Sequence, residues 1–119
     1  MANNGGSGNC SESTITNGGN NLDSGATCGF SAANGSLSNT DPLLGSLADN
    51  DGPTLTMAPS FQSPAIDGVI YNAPNGCPAA DQRGTARPLD GNGDGNVLCD
   101  IGAYEATSRY AIYLPLVIR

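Results

Sequence analysis

The sequence predicts an all-β, loop-rich fold. Its 119 residues include 17 Gly and 8 Pro, which interrupt helices, and only 38% of them are hydrophobic and 5% aromatic. Asn, Ser, Thr and Asp fill the spaces between short apolar groups and compete for the backbone hydrogen bonds that a helix needs. These observations favour short strands joined by tight turns. The length allows one small domain.

The first part of the chain predicts a flexible segment followed by a strand pair. Residues 1–9 are almost entirely Gly, Asn and Ser, so we expect a flexible N-terminal segment there. In residues 10–30, polar and apolar positions alternate around Ile15, and Asn and Gly at residues 17–21 predict a turn between two strands. Disorder is the alternative for the first 40 residues, since low hydrophobicity with a net charge of −7 is typical of unfolded chains.

Further short elements follow along the chain. After a turn at Asn34-Gly35, isolated apolar residues stand between Asp-Pro, Asn-Asp-Gly-Pro and Ser-Pro turns. This pattern is too interrupted for a long helix, but residues 42–47 predict a short helical turn. Two strand candidates and the most apolar stretch of the chain lie at residues 67–71, 101–104 and 110–118.

The charged residues exclude several classes of function. The chain has 11 acidic residues, only 4 basic ones and no His, so we expect no binding of nucleic acid, whereas divalent cations are suitable partners. All the basic residues are Arg. The chain therefore lacks the commonest general base, His, and the amine nucleophile, Lys. We predict that it is not an enzyme.

The four cysteines predict two disulfides. No two of them have the close Cys-x-x-Cys spacing of a zinc site. Of the three possible connectivities we expect Cys10–Cys28 and Cys77–Cys99, because each pair brackets one Gly-rich segment with few apolar groups. Disulfides indicate an oxidising compartment.

The N-terminus lacks the features of a secretory signal. It has neither a basic region nor an apolar run, although the cysteines are typical of an exported protein. We therefore expect a fragment of a longer secreted or cell-surface protein, with the signal on the missing N-terminal part.

Several motifs occur in a specific order. They are NLDSGATCGF, NTDPLLGSLADNDGPT, SPAID and, most specific, DQRGTARP followed by CDIGAYE. Across about residues 9 to 105 this order resembles the C-terminal part of bacterial choice-of-anchor Q domain proteins. Those proteins are similar to right-handed parallel β-helices of the pectate-lyase-like and polymorphic outer-membrane type.

The resemblance implies a fold and a set of partners. Residues 10–105 would form the last coil or coils and the C-terminal cap of a right-handed parallel β-helix, and residues 106–119 an apolar tail. The partners would be upstream β-helix coils of the parent chain and a cell-envelope component or polysaccharide. We expect a non-enzymatic structural or adhesive module. The alternative is a calcium-dependent polysaccharide-binding or lyase-like module.

The run DGNGDGN at residues 90–96 predicts a calcium loop. Oxygen side chains at alternate positions, with Gly permitting a sharp turn, allow one loop to surround a hard cation. A plain Asn-Gly turn is the alternative, because Ile101 occupies the place of the bidentate Glu of an EF-type loop. Other Asp residues, among them Asp67, are predicted to cap turns. The predicted calcium ligands are Asp90, Asn92, Asp94, Asn96 and Asp100.

Arg83 and Arg87 allow two interpretations. In lyases of the β-helix type, an arginine and calcium-bound carboxylates remove a proton next to a uronate, which is the chemistry that the alternative function requires. The structural interpretation is that both arginines pair with Asp81 or Glu105 and donate to loop carbonyls. We favour the structural interpretation, because the resemblance places these residues in an end region.

The apolar tail follows the family-like region. Residues 110–119 are rich in β-formers and too short to span a bilayer as a helix, which needs about 20 apolar residues. We expect an extended strand, with Pro115 at a sheet edge or a bulge. The tail either attaches the protein to another component or docks on this domain and covers an open end.

Overall fold

The computed structural model describes residues 2, 8–11, 15–71 and 76–108. Within these residues the regular elements are a 3₁₀ turn at Ala33–Gly35, strand β1 at Leu44–Ala48 and strand β2 at Thr56–Pro59. The predicted loop-rich, non-helical character is confirmed, and no regular parallel β-helix is formed in this part of the chain. Most of the segment 1–9 and the whole stretch 110–118 lie outside the described residues.

The two strands form an antiparallel hairpin. Leu44 faces Pro59, Leu47 faces Met57, and the register is irregular between the two pairs. The β1 residues after Leu44 are exposed, whereas Thr56 at the start of β2 is buried. No helix in the described part of the chain is long and apolar enough to cross a membrane.

The helical turn predicted at residues 42–47 is wrong, because this segment enters β1. Asp41 Oδ1 accepts a hydrogen bond from the Leu43 N–H (2.9 Å), and Leu43 has a φ of 51°, which a right-handed helix does not allow. A Cβ added to Gly45 would lie 3.3 Å from the carbonyl oxygen of Ala58, so Gly45 suits the close approach of β2.

A parallel contact precedes the hairpin. The Leu37 N–H donates to the carbonyl of Asn21 (2.7 Å), and the Asp23 N–H donates to the carbonyl of Leu37 (2.9 Å). Leu22 and Leu37 therefore form a parallel bridge, and two successive segments of chain run side by side in the same direction.

The strands predicted at residues 67–71 and 101–104 are reduced or absent. In the first, Val69 forms one antiparallel bridge with Cys99 through two backbone hydrogen bonds of 2.9 Å. Residues 101–103 form bends, so the second prediction is wrong. The reason is the backbone, since Asp67 has a φ of 56° and Gly102 a φ of 114°, both outside the extended region.

Two disulfides tie the loops together. The structure pairs Cys10 with Cys28 (Cα–Cα 5.0 Å) and Cys77 with Cys99 (Cα–Cα 6.4 Å), which is the connectivity that the sequence predicts. Cys28 and Cys99 are both buried. Two disulfides in so small a chain indicate an oxidising environment.

The core combines small apolar groups with carboxylates. The buried apolar side chains are few, and the largest fully buried side chains are Glu105, Asp23 and Asp100. A core of this kind is held by hydrogen bonds to the backbone as much as by apolar contact. Its buried hydrophobic residues are Leu22, Cys28, Phe30, Ala65, Ile66, Val69, Cys99 and Ala106.

Gly52, in the β1–β2 connection, allows a close backbone contact that can be tested. It has a φ of 83°, and an added Cβ would lie 2.7 Å from Arg83 Cα. Gly84 has a similar φ of 87° but no atom within 4 Å of its added Cβ. We expect Gly84→Ala to lower the free energy of unfolding by roughly 1 kcal/mol through backbone strain. Gly52→Ala should cost roughly 1–3 kcal/mol more through overlap.

Urea unfolding with the disulfides intact measures both changes. Equal losses in the two variants would show that the contact between Gly52 and Arg83 contributes nothing.

Candidate metal site and the buried carboxylate network

The loop at residues 90–96 is organised by its own side chains. Asp90 Oδ1 accepts a hydrogen bond from the Gly93 N–H (2.7 Å), and its Oδ2 accepts one from the Gly95 N–H (2.9 Å). Both glycines have positive φ, 80° and 90°, which turns their N–H groups toward the carboxylate. The loop is therefore shaped by Asp90, as turn-forming Asp residues do.

Asp67 joins this loop from a distant part of the sequence. Its two carboxylate oxygens accept hydrogen bonds from the N–H groups of Gly91 and Asn92, both at 3.1 Å. Its own N–H donates to Asp100 Oδ1 (2.8 Å). Asp67 thus links the turn before Val69 to the 90–96 loop.

Three carboxylates converge at this junction. One oxygen from each of Asp67, Asp90 and Asp94 lies within 4.8 Å of the other two. Burial, and after it the repulsion from Asp90 and Asp94, raises the pKa of Asp67. The cluster has no basic partner among the salt bridges of the described residues. Its hard oxygen ligands and negative charge fit a divalent cation such as calcium.

The structure brings some of the predicted calcium ligands together and leaves Asp100 apart. Asp90 and Asp94 come together, and Asn92 Oδ1 accepts a hydrogen bond from the Asp94 N–H (2.9 Å). The Asn96 N–H donates to Asp94 Oδ1 (2.8 Å). Asp100 is outside the group of three, is only 2% exposed, and binds backbone N–H groups instead.

From the sequence Asp67 is predicted to cap a turn, and its place in the acidic cluster is a finding of the structure alone. The spacing within the 90–96 loop gives no sign of it, because Asp67 lies far away in the sequence. The SPAID motif, which ends at Asp67, was the available signal, but on its own it is too short to assign a ligand.

Both arginines are engaged in pairing, as the structural interpretation predicted. Arg83 Nε and Nη2 lie 3.1 and 2.9 Å from Asp81 Oδ2, and Nη2 also donates to the carbonyl of Glu105 (2.8 Å). Its guanidinium stacks over the ring of Tyr104, 3.7 Å from the centroid. Arg87 Nε lies 3.1 Å from Glu105 Oε2 as an ion pair without hydrogen-bond geometry, and its Nη2 donates to the carbonyl of Gly102.

Backbone N–H groups link the buried carboxylates into one network. Asp81 Oδ2 accepts the N–H of Glu105 (2.8 Å), and Glu105 Oε2 accepts the N–H of Asp100 (3.0 Å). Asp100 in turn accepts the N–H groups of Ala106 and Asp67. The network runs from the Arg83 ion pair to the edge of the acidic cluster.

Burial and hydrogen bonding shift the pKa values of this network in opposite directions. Burial raises the pKa of Glu105 and of Asp100. Burial acts the same way on Asp81, but hydrogen bonds from the Glu105 N–H, the Arg83 side chain and the Thr85 N–H outweigh it, and the pKa of Asp81 is lowered. The network therefore contains two carboxyl groups with a raised pKa and one with a lowered pKa.

We expect a maximum of stability on the acidic side of neutrality. As pH falls from 7, Glu105 and Asp100 take up protons in the folded state first, so the free energy of unfolding rises until their ordinary pKa values of about 4 are reached. Below that, unfolded Asp81 binds protons more readily than folded Asp81, and stability falls. Urea unfolding from pH 3 to 8 in the presence of a chelator measures the profile.

Asp81→Asn tests the acidic half of this profile. At pH 7 it should cost roughly 3 kcal/mol, because it breaks a buried pair. It should also flatten the decline in stability below pH 4. Asp51→Asn, at an exposed position, is the control and should keep the profile of the original chain. An unchanged acidic decline in Asp81→Asn would contradict the assignment.

Comparisons with protein-family models, with curated proteins and with solved structures found no match to this chain. The motif resemblance to choice-of-anchor Q domain proteins therefore stays a prediction.

Proposed function

We propose that this chain is a non-enzymatic structural module that closes the C-terminal end of a parallel β-helix in a secreted or cell-surface protein. The observation that carries the proposal is the parallel pairing of the segments around Leu22 and Leu37. A further hydrogen bond, from the Asn20 N–H to the carbonyl of Asn34 (2.9 Å), joins the same two segments beside this bridge. Successive coils of a parallel solenoid associate in this way.

The parts that follow this pairing are suited to ending a solenoid. The β1–β2 hairpin is antiparallel, and the loops after it are joined by one disulfide and a carboxylate network. Terminal repeats of solenoids differ from the inner repeats and present a polar outer face. The partners of such a module are upstream β-helix coils of the parent chain, and a cell-envelope component or polysaccharide for an adhesive role.

The two disulfides support a place outside the cell. They are stable in oxidising compartments and rare in reducing ones. Each cross-link also restricts the unfolded chain, which raises the free energy of unfolding by roughly 3 kcal/mol. This stabilisation suits a module with few buried apolar groups.

The alternative, a calcium-dependent polysaccharide-binding or lyase-like module, is favoured by the acidic cluster alone. A lyase needs an arginine that reaches substrate. The Arg83 and Arg87 side chains are only 12% and 5% exposed, and each is paired with a carboxylate. These contacts support the structural role for the two arginines.

In the proposed cap, calcium has a structural role. We propose that it binds Asp67 together with Asp90 and Asp94, because three close carboxylates repel one another and a divalent cation relieves that repulsion. Asp67 and the 90–96 loop belong to separate segments. A shared ion would therefore cross-link the two segments within the cap.

A fusion tests the capping role. We expect that joining this chain to the C-terminal end of regular coils from a parallel β-helix gives one cooperative unfolding transition, with a midpoint above that of the coils alone. The control fusion carries Leu22→Asp, which places a charge in the buried side of the parallel pair. Separate transitions for the coils and the chain, monitored by circular dichroism, would count against capping.

Calcium should raise the thermal midpoint of the isolated chain. At 10 mM calcium and a dissociation constant of about 10⁻⁴ to 10⁻³ M, binding adds roughly 1.4 to 2.7 kcal/mol. Asp67→Asn and Asp94→Asn should each abolish most of the shift, whereas Asp51→Asn, outside the cluster, should preserve it. Differential scanning calorimetry measures the midpoints. No shift in the original chain would leave the loop as a plain turn.

A further inference from the structure

An apolar groove lies between the β1–β2 hairpin and residues 101–104, and Ala2 also contributes to its lining. Its volume is about 340 Å³, at the lower end of the range of sites that hold small apolar groups. Leu44 and Leu47 of β1 form one part of its lining, and Leu55 and Met57 form another. Tyr104 contributes from the C-terminal side.

The groove exposes apolar surface, and burying that surface would stabilise the fold. Leu47 is 57% exposed and Leu55 is 53% exposed, although both line the groove. Large side chains of this kind, grouped on one face, are typical of a surface that a further segment covers. The outer edge of β1 has no strand partner among the described residues.

The sequence supplies an occupant close at hand. The described chain ends at Ser108, four residues after Tyr104, so at most about 14 Å of chain separates Tyr104 from the last described residue. Residues 110–118 are the most apolar stretch of the chain and are rich in β-formers. A covalently attached segment also binds at a high effective concentration.

We propose that residues 110–119 pack in this groove as an intramolecular strand and complete the hydrophobic core. The apolar side chains of the segment cover Leu47 and Leu55, and β1 offers a free edge to its backbone. Arg119, the one cation of the segment, is attracted to an otherwise acidic molecule with a net charge of −7. This inference does not depend on the capping role.

A single tryptophan in the full chain reports on the packing. The chain contains no Trp, so Leu114→Trp introduces the only indole. We expect its emission in the folded protein to lie at shorter wavelength than in urea, because the groove shields it from water. A second change, Leu47→Asp, should move the emission toward the unfolded value, because it places a charge in the groove.

Phe61→Asp is the matched control for the added charge. Phe61 is 60% exposed, as Leu47 nearly is, but it does not line the groove. It should leave the emission unchanged. Leu55→Asp provides a second groove variant in case Leu47→Asp fails to fold, as judged by its urea transition.

Three results would overturn the proposal. The first is emission equal to that in urea. The second is a short-wavelength emission that neither groove variant changes. The third is a shift that disappears on dilution together with a dimeric mass in light scattering, since the groove would then be filled by a second copy. Short-wavelength emission in a monomer, sensitive to the groove variants only, supports it.

Discussion

Carboxylates that accept backbone hydrogen bonds hold this protein together. The described residues contain little sheet or helix, so many of their N–H groups have no ladder partner, and a buried N–H without a partner costs free energy. Asp81 and Glu105 meet this need at the centre of the fold. Each accepts one N–H from a segment far away in the sequence, and each also faces an arginine. The same two side chains thus neutralise the arginines and accept hydrogen bonds from the backbone.

The same solution recurs in the N-terminal half. Asp23 is fully buried, and its two oxygens accept the N–H groups of Gly25 (2.9 Å) and Cys28 (3.0 Å). Burial opposes the charge of Asp23, but the side chain of Asn9 and these N–H groups lower its pKa. The carboxylate therefore fixes the loop that also carries the Cys10–Cys28 disulfide. The loops of this protein are organised by buried carboxylate side chains, whereas many small domains use apolar side chains for this purpose.

The chemistry of the fold is more predictable from the sequence than its geometry. The pairing of Arg83 and Arg87 was predictable because a chain with eleven acidic and only four basic residues offers each arginine several carboxylate partners. The loop at residues 90–96 was visible because its oxygen side chains and glycines alternate locally. The part played by Asp67 was hidden, since it depends on a contact between distant segments. The strand at Leu44–Ala48 was also missed, because the positive φ of Leu43 arises from the Asp41 turn and the pairing with β2, which a local pattern does not encode.

The long reach of the Glu105 contacts along the sequence has a consequence for biosynthesis. Its backbone N–H and its carboxylate bind residues 24 and 16 positions earlier, and its carbonyl binds Arg83, 22 positions earlier. None of these contacts forms until Glu105 itself has been synthesised. A product truncated before this residue leaves Asp81 without the Glu105 N–H, Arg83 without the Glu105 carbonyl and Arg87 without its ion pair. Quality-control proteases act on such incompletely closed states. Glu105 thus couples folding to synthesis, because the contacts that the segment around residues 81–89 makes with it are completed only after residue 105 has been added.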